Sequence, residues 1–436
     1  MATSTPTRTR GTRAPASPAD RPLSDPDVFK EAAHAWLHHP LASIYLVVVP
    51  ALLLLALGTV MVWSASSVYG ATQFGDATTF LKRQLVFVVG GLLGALVMQR
   101  IPLEALRRLG WPMFLTASVL MCVPFVMGKR IKGNLNWIDF GGSGMLRLQP
   151  SEIAKLVIIL WGASLFTHKR KALDDPRHLL LPFLPGALGL VGLTVLQHDL
   201  GTSIIMGLIV VLMLWNVGAS LRILGAFAAG IGVVVLGLVV ATPYRVARIL
   251  GFLDPTAGAE GINYQPNQAQ LGLASGGWWG VGLGYSRMKW GFLSEAHTDY
   301  ILAIIGEELG LMGTLTVIGL LLTIGYAGFR IALRAGSFYS RIVAAGITSW
   351  IMVQAAVNIC VVLRLLPVLG VPLPLVSYGG SSLVVNLAAL GILVLCARDE
   401  PAAKHYLEKR RRERRPRGRL SAVVPVRRPT ATRRTR

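Results

Sequence analysis

Leu41-Ala-Ser-Ile-Tyr-Leu-Val-Val-Val-Pro-Ala-Leu-Leu-Leu-Leu-Ala-Leu-Gly-Thr-Val-Met-Val-Trp63 is an apolar run without a charged side chain. It has the length that crosses a bilayer, about twenty residues. No small-residue cleavage site follows it, so it reads as a span and not as a removable signal. Upstream, residues 1–39 are rich in Arg, Pro, Ser and Thr and read as a disordered tail. Downstream, similar runs recur at 84–99, 110–127, 152–167, 179–196, 201–217, 221–242, 300–328, 342–363 and 373–397. The run that holds Pro182 and Pro185 fits a helix least well. Hydrophobic residues make up 53% of the 436, charged residues 15%, and mean hydropathy is +0.57. A water-soluble globule is excluded on those figures. The expected fold is an all-α polytopic membrane protein of about ten transmembrane helices.

Lys and Arg collect in short cytoplasmic loops. Arg100, Arg107 and Arg108 share one loop, Lys169, Arg170 and Lys171 another, and Arg330, Arg334 and Arg341 a third. These are alternate loops, and an even number of spans puts both termini on the same, cytoplasmic side. Much of the formal charge of +22 lies in the tail from 399 to 436, as in Lys409-Arg-Arg-Arg-Glu-Arg-Arg415. Next to a span such a tail reads as an anchor on anionic membrane lipid, not as a nucleic-acid site. Cys122, Cys360 and Cys396 all fall in apolar runs, with no disulfide or metal-ligand spacing.

Other cations break the topology pattern. Lys129, Arg130, Lys132 and Arg147 flank the loop between spans three and four; Arg245, Arg248, Arg287 and Lys289 belong to the long loop 243–298; Arg364 precedes span ten. On the outer side they can bind lipid headgroups or an anionic ligand such as a pyrophosphate, by charge-assisted hydrogen bonds. The long loop is not a linker: Ala274-Ser-Gly-Gly-Trp-Trp-Gly-Val-Gly-Leu-Gly-Tyr285 alternates glycine with aromatics, which suit the membrane interface or stack on a sugar. It is expected to fold back on the outer face, partly as short amphipathic helices such as Pro243–Leu253. It ends in Gly291-Phe-Leu-Ser-Glu-Ala-His-Thr-Asp-Tyr300, continuing as Ile301-Leu-Ala-Ile-Ile-Gly-Glu-Glu-Leu-Gly310. Four carboxylates and a histidine at the water–lipid boundary mark a place for chemistry.

Several stretches together resemble the SEDS family. They are 291–300 with Ile305-Gly-Glu-Glu-Leu-Gly310, Asn136-Trp137-Ile138, Gln149-Pro-Ser-Glu-Ile-Ala-Lys155, Asp199-Leu-Gly-Thr202, Phe252-Leu-Asp-Pro255 and Pro372-Leu-Pro-Leu-Val-Ser-Tyr-Gly-Gly-Ser-Ser382. The resemblance covers roughly 41–400, and Ile-Gly-Glu-Glu with the basic tail looks more like the division member than the elongation member. It implies a peptidoglycan glycosyltransferase that polymerises lipid II at the outer face of the cytoplasmic membrane, at the division septum. It also implies a class B penicillin-binding protein as companion, with divisome contacts such as FtsZ through the basic tail. No cofactor is evident, and a divalent cation, Mg or Mn, stays open.

The resemblance implies Asp299 as the base that deprotonates the acceptor hydroxyl; the alternative is a helix N-cap. Glu295 and His297 are weaker candidates that could orient the acceptor, or be merely solvated. Glu152 and Lys155, three residues apart on one helix face, form a structural ion pair or line the cavity beneath Asp299 together with Arg83 and Asp199. Glu307 and Glu308 lie two turns into span eight, where one bonds Lys155 or a backbone group freed by a helix break. Ser377 and Ser381 fall inside span ten, as helix-packing residues or as donors to sugar or pyrophosphate. Trp137, Arg245 and Arg248 complete the substrate-binding candidates. Arg364 and Ser294 depart from the family pattern. A lipid-linked flippase or a divisome scaffold without catalysis would share many of these features, although no internal inverted repeat is evident.

Overall fold

The computed structural model describes residues 37–131, 134–140, 146–254, 261 and 263–414. Lys132, Pro255 and the outer parts of both tails, 1–36 and 415–436, lie outside the described residues, and with them most of the expected disordered N-tail and of the partner-binding C-tail. Among the described residues ten helices are long and apolar enough to cross a membrane: Ala42–Phe74, Thr79–Met98, Gly110–Met127, Pro150–His168, Pro176–Leu196, Leu200–Val217, Leu221–Val240, Ile301–Arg334, Phe338–Val362 and Ser381–Arg398. They are numbered here as spans one to ten. The chain is a multi-pass, all-α membrane protein.

Burial sorts the spans. Spans four, nine and ten are mostly buried inside the protein, whereas two, three and seven are apolar on nearly all sides and face outward. An outward apolar surface is what lipid requires, because lipid supplies no hydrogen bonds and the helix satisfies its own backbone. Span eight packs along spans one and nine, and span ten along span two. Small residues permit these approaches: a Cβ on Gly391 would meet the Ala95 backbone at 2.5 Å, and one on Gly328 of span eight would meet Thr348 Oγ1 of span nine at 1.9 Å.

Several elements depart from the sequence expectation. Span one runs on to Phe74, 33 residues in all, or about 50 Å of helix, so it outlasts the hydrocarbon. Span five is two helices, Pro176–Leu180 and Phe183–Leu196. Span ten begins at Ser381, not near 373, so Ser377 lies in the irregular segment ahead of it and not within the helix. The hydropathy of Pro372–Val376 resembles a helix, but three prolines at 367, 372 and 374 forbid one. Between spans three and four stand three short antiparallel strands, Lys129–Ile131, Asn134–Phe140 and Leu146–Leu148, with Trp137 opposite Lys129 and Asp139 opposite Arg147. The long loop 243–298 carries the amphipathic helix Pro243–Leu253 with the expected bounds, then a second helix, Tyr264–Ser275. A basic helix, Pro401–Arg414, follows span ten at the start of the C-tail.

Span eight is broken. Gly310 takes φ 68°, ψ −165°, a region that only glycine occupies without strain. The first piece folds sharply against the second, since a Cβ on Gly306 would lie 3.3 Å from Thr314 Oγ1, eight residues on. The break frees backbone groups, and the glycine-rich loop takes them up. Val281 and Gly282 N–H donate to the carbonyls of Glu307 and Glu308 at 2.9 and 3.0 Å, and Leu311 and Met312 N–H donate to Gly277 and Trp278 at 2.9 and 3.3 Å.

Candidate active site

The first piece of span eight, 301–309, has Asp299 just before its start. Its N-cap is Tyr300, with no side-chain cap bond, so Asp299 is not the helix cap. The aspartate is half-buried, and its main-chain carbonyl accepts from Asn358 Nδ2 of span nine at 2.8 Å, while the same amide donates to Val371 O at 2.8 Å. Asn358 thereby fixes Asp299 against the loop 364–376. That loop lies against the aspartate: Gly370 takes φ +70°, which suits glycine, and its Cβ position is 3.7 Å from Asp299 Oδ2, ordinary contact distance. From the other side of the same loop, Arg248 donates to Val368 O at 3.2 Å and to Tyr244 Oη at 2.6 Å.

Tyr300 reports on the charges gathered there. Burial pushes its phenol above the usual range, the Asp299 charge adds to that, and Arg248 opposes it, with Glu295 also in electrostatic reach. The charges of Asp299, Glu295 and Arg248 therefore all act on one buried phenol. Glu295 accepts from Thr298 Oγ1 at 2.7 Å, which folds the segment into the turn that presents Asp299.

His297 is buried, not solvated. Its ring lies among Phe80, Tyr378 and Tyr69 at centroid distances of 4.8, 5.6 and 6.0 Å. Its carbonyl accepts from Tyr378 N–H at 2.9 Å, stapling the Tyr-Gly-Gly segment to the His-Thr-Asp segment. Arg83, at the outer start of span two, stands over Phe74 and Phe80 at 5.2 and 5.7 Å. Burial raises the Tyr378 phenol, while Arg83, through its charge and a hydrogen bond, and Arg147 pull it back.

Beneath lies the pair from span four. Lys155 Nζ is 2.9 Å from Glu152 Oε1 and 3.0 Å from Gln354 Oε1, and 5.2 Å from the Trp350 ring centroid. Both charged side chains are 2–3% exposed. Oε1 takes the directed hydrogen bond; Oε2, at 2.8 Å, is in ionic contact without one. Gln354 passes the connection upward to Pro372 O at 3.0 Å. Gln354 and Asn358, one turn apart, thus tie both the pair and Asp299 to the same loop.

Asp199 caps span six and is saturated by its own chain. It accepts from Asn136 Nδ2 at 2.6 Å, Gln149 Nε2 at 2.8 Å, and Thr202 Oγ1 and N–H at 2.9 and 3.1 Å. Ser381 accepts from Gln149 N–H at 3.2 Å, and Ser377 Oγ accepts from Leu373 N–H at 2.8 Å, so both hydroxyls brace loops. Trp137 is half-buried on the middle strand, and Arg245 donates to Leu238 O at 3.1 Å, at the outer end of span seven.

Glu307 and Glu308 do not reach Lys155. Glu307 accepts from Ser286 Oγ at 2.5 Å and Arg287 N–H at 2.8 Å. Glu308 accepts from Ser64 Oγ of span one at 2.6 and 2.8 Å and from Ser286 N–H at 3.3 Å, with Lys289 Nζ 3.6 Å away. Their partner is the loop, because the break at Gly310 turns this stretch toward 276–289. Arg364, in a left-handed conformation with φ 58°, bonds Asn267 Oδ1, and Ser294 accepts from Gln265, so both departures join the outer helix Tyr264–Ser275 to its surroundings. Among the described residues no group of three or more His, Cys, Asp or Glu is placed to hold a metal ion.

Sequence reading missed Tyr378, Asn358, Gln354 and Ser286. Gln354 and Asn358 carried a usable signal, two amides four residues apart in an otherwise apolar span.

These features define a ten-span membrane protein with a polar site at one end of the bundle, built where irregular loops meet a broken helix. Residues 44–401 match the model of the cell cycle protein family that comprises FtsW, RodA and SpoVE, and the chain belongs to that family. It is 38% identical over 372 residues to the probable peptidoglycan glycosyltransferase FtsW of Mycobacterium tuberculosis, covering 85% of this chain and 70% of that one. It is 38% identical over 347 residues to the probable peptidoglycan glycosyltransferase FtsW of Trichlorobacter lovleyi, covering 78% and 89%. Among solved structures, a chain of a peptidoglycan synthase complex that coordinates polymerization and crosslinking matches with TM-score 0.64 and 29% identity. The Thermus thermophilus rod shape determining protein RodA matches with 0.60 and 27%. Both matches cover 84% of this chain and 99% of the other.

Proposed function

We propose that this chain is a peptidoglycan glycosyltransferase of the FtsW type, polymerising glycan strands from lipid II at the outer face of the cytoplasmic membrane, with both termini cytoplasmic. Asp299 takes the proton of the acceptor 4-hydroxyl as that oxygen attacks the donor anomeric carbon. The bond from that carbon to the pyrophosphate oxygen breaks, and polyprenyl pyrophosphate leaves. Displacement in one step inverts the anomeric centre, so an α-linked donor yields a β-linked strand without a covalent intermediate. The base needs partial exposure and a fixed position, and the leaving group needs positive charge.

The observation that carries this reading is the arrangement about Tyr300: a half-buried Asp299 held through its own carbonyl by Asn358, with Arg248 in electrostatic reach. Arg248 is placed to neutralise the departing pyrophosphate, and Arg83 and Arg147, beside Tyr378, supply a second basic edge. The buried Glu152–Lys155 pair supports the loop 364–376 from below.

Among the described residues no cross-linking domain is present. A class B penicillin-binding protein is the companion this reading requires; the match to a chain of a polymerizing and crosslinking complex supports it. Septal location, and divisome contacts such as FtsZ through the basic tail, belong to the same proposal.

The test is polymerisation of labelled lipid II by the purified protein with its companion, wild type against Asp299→Ala. Removal of a general base costs about 10²–10⁴-fold in rate, so wild type gives glycan ladders and the variant gives none in the same time. Equal ladders from both would move the base elsewhere, to Glu295 first. No ladder from either, in an assay validated with a known polymerase, would favour transport or scaffolding.

A further inference from the structure

Trp278, Trp279, Tyr285 and Trp290 are 63%, 79%, 76% and 68% exposed, and no described part of the chain covers them. Such side chains in one short loop need an occupant. The backbone beneath them lies flat on span eight: a Cβ on Gly276 would fall 1.9 Å from Gly306 O, and one on Gly280 2.2 Å from Glu308 O. Positive φ at Gly277, Gly280, Gly282 and Gly284 turns the intervening aromatics outward.

Two rulers give the height of this loop. On span one, Tyr45 and Trp63 are both about half exposed and eighteen residues apart. That separation is about 27 Å along a helix, close to the thickness of the hydrocarbon, with an interfacial aromatic at each end. Ser64, the next residue, donates to Glu308, whose carbonyl accepts from Gly282 N–H at 3.0 Å. The loop is therefore pinned to the level of Trp63. On span eight, the N–H groups of Leu311 and Met312 bond the carbonyls of Gly277 and Trp278. The side chains of Leu311, Met312 and Leu315 are exposed there, as is Leu322 further along. The aromatic loop continues that lipid-facing band at its outer edge.

We propose that this loop is an interfacial anchor, with Trp278, Trp279, Tyr285 and Trp290 seated among the phospholipid headgroups of the outer leaflet. The buried polar contacts Ser64–Glu308 and Ser286–Glu307 hold it at that height. Tryptophan suits the position because its ring is apolar while its N–H reaches headgroup oxygens.

The experiment uses the full chain alone in proteoliposomes of phosphatidylethanolamine and phosphatidylglycerol. Brominated acyl chains quench tryptophan emission, and the wild-type spectrum minus that of Trp278→Phe/Trp279→Phe isolates these two side chains. Bromine near the glycerol end should remove about half or more of the difference emission, and bromine near the methyl end much less, as interfacial aromatics require. Trp290→Phe, measured separately, should give the same pattern without relying on the double variant to fold. Difference emission insensitive to bromine at either position would place the loop in water and overturn the proposal. So would quenching chiefly by bromine at the methyl end. Insensitivity to lipid combined with a blue shift on adding a single-pass transpeptidase would identify a protein-docking face instead.

Discussion

Replacing Lys155 by Met leaves the Glu152 carboxylate buried without its cation. At 2.8 Å the two charges attract with about 6 kcal/mol gross at an effective dielectric near 20. Lys155→Met forfeits that attraction while the carboxylate stays out of water, and breaking one side of a buried pair costs about 3–5 kcal/mol net. The loss should show as a melting temperature lower by about 3–5 °C in detergent, for an unfolding entropy that scales with chain length. Glu152→Gln/Lys155→Met removes both charges and should regain most of that stability, since a neutral pair of similar volume often matches a buried ion pair. Polymerisation by the stable double variant then separates two roles. Full activity makes the pair a support for the loop 364–376 through Gln354; a stable but inactive double variant makes it part of the substrate cavity. A single Lys155→Met that melts with wild type would refute the premise that the pair is desolvated and mutually dependent.

Three further outcomes follow from the same contacts. Gly310→Ala forces a Cβ to within 2.4 Å of Gly280 N at a backbone angle that costs about 1–3 kcal/mol even in open space; limited proteolysis should find the loop 276–289 cleaved faster. Ser286→Ala removes one donor from buried Glu307 and should destabilise by about 1–3 kcal/mol; a melting curve identical to wild type would count against the loop being fastened there. Tyr378→Phe removes the hydroxyl that lies within electrostatic reach of Arg83 and Arg147 but keeps the ring packing about His297; kcat/KM for lipid II should fall, by up to about tenfold for one lost polar contact, with melting little changed.

The spans were legible because lipid imposes one rule on every outward residue, and hydropathy records it. Pro243–Leu253 was legible for a related reason, its apolar and basic residues falling on opposite faces of a helix. The break at Gly310 was not, since Ile301–Arg334 is apolar on both sides of it and glycine is common inside membrane helices. The start of span ten was misplaced because hydropathy does not register that Pro372 and Pro374 remove helical hydrogen bonds. Asp299 stood out as a carboxylate at a span boundary, whereas its partner Asn358 lies 59 residues away in sequence. Nothing in the sequence singles out Tyr378 beside its two glycines; only the fold brings its N–H to the His297 carbonyl.

The bonding of the polar groups also assigns the work among them. Asp199, Glu307 and Glu308 are buried carboxylates whose oxygens face hydroxyls, amides and backbone N–H groups of their own chain. Glu152 faces Lys155. Such groups are expensive to disturb, and they hold loops whose close crossings demand glycine, as where a Cβ on Gly201 would lie 2.0 Å from Leu369 O. Asp299 differs in being half-buried, and its main-chain carbonyl is held by the Asn358 amide. A base must move from anion to acid within each cycle. The Asn358 bond to the Asp299 carbonyl does not involve the carboxylate, so it holds this stretch of chain in either protonation state.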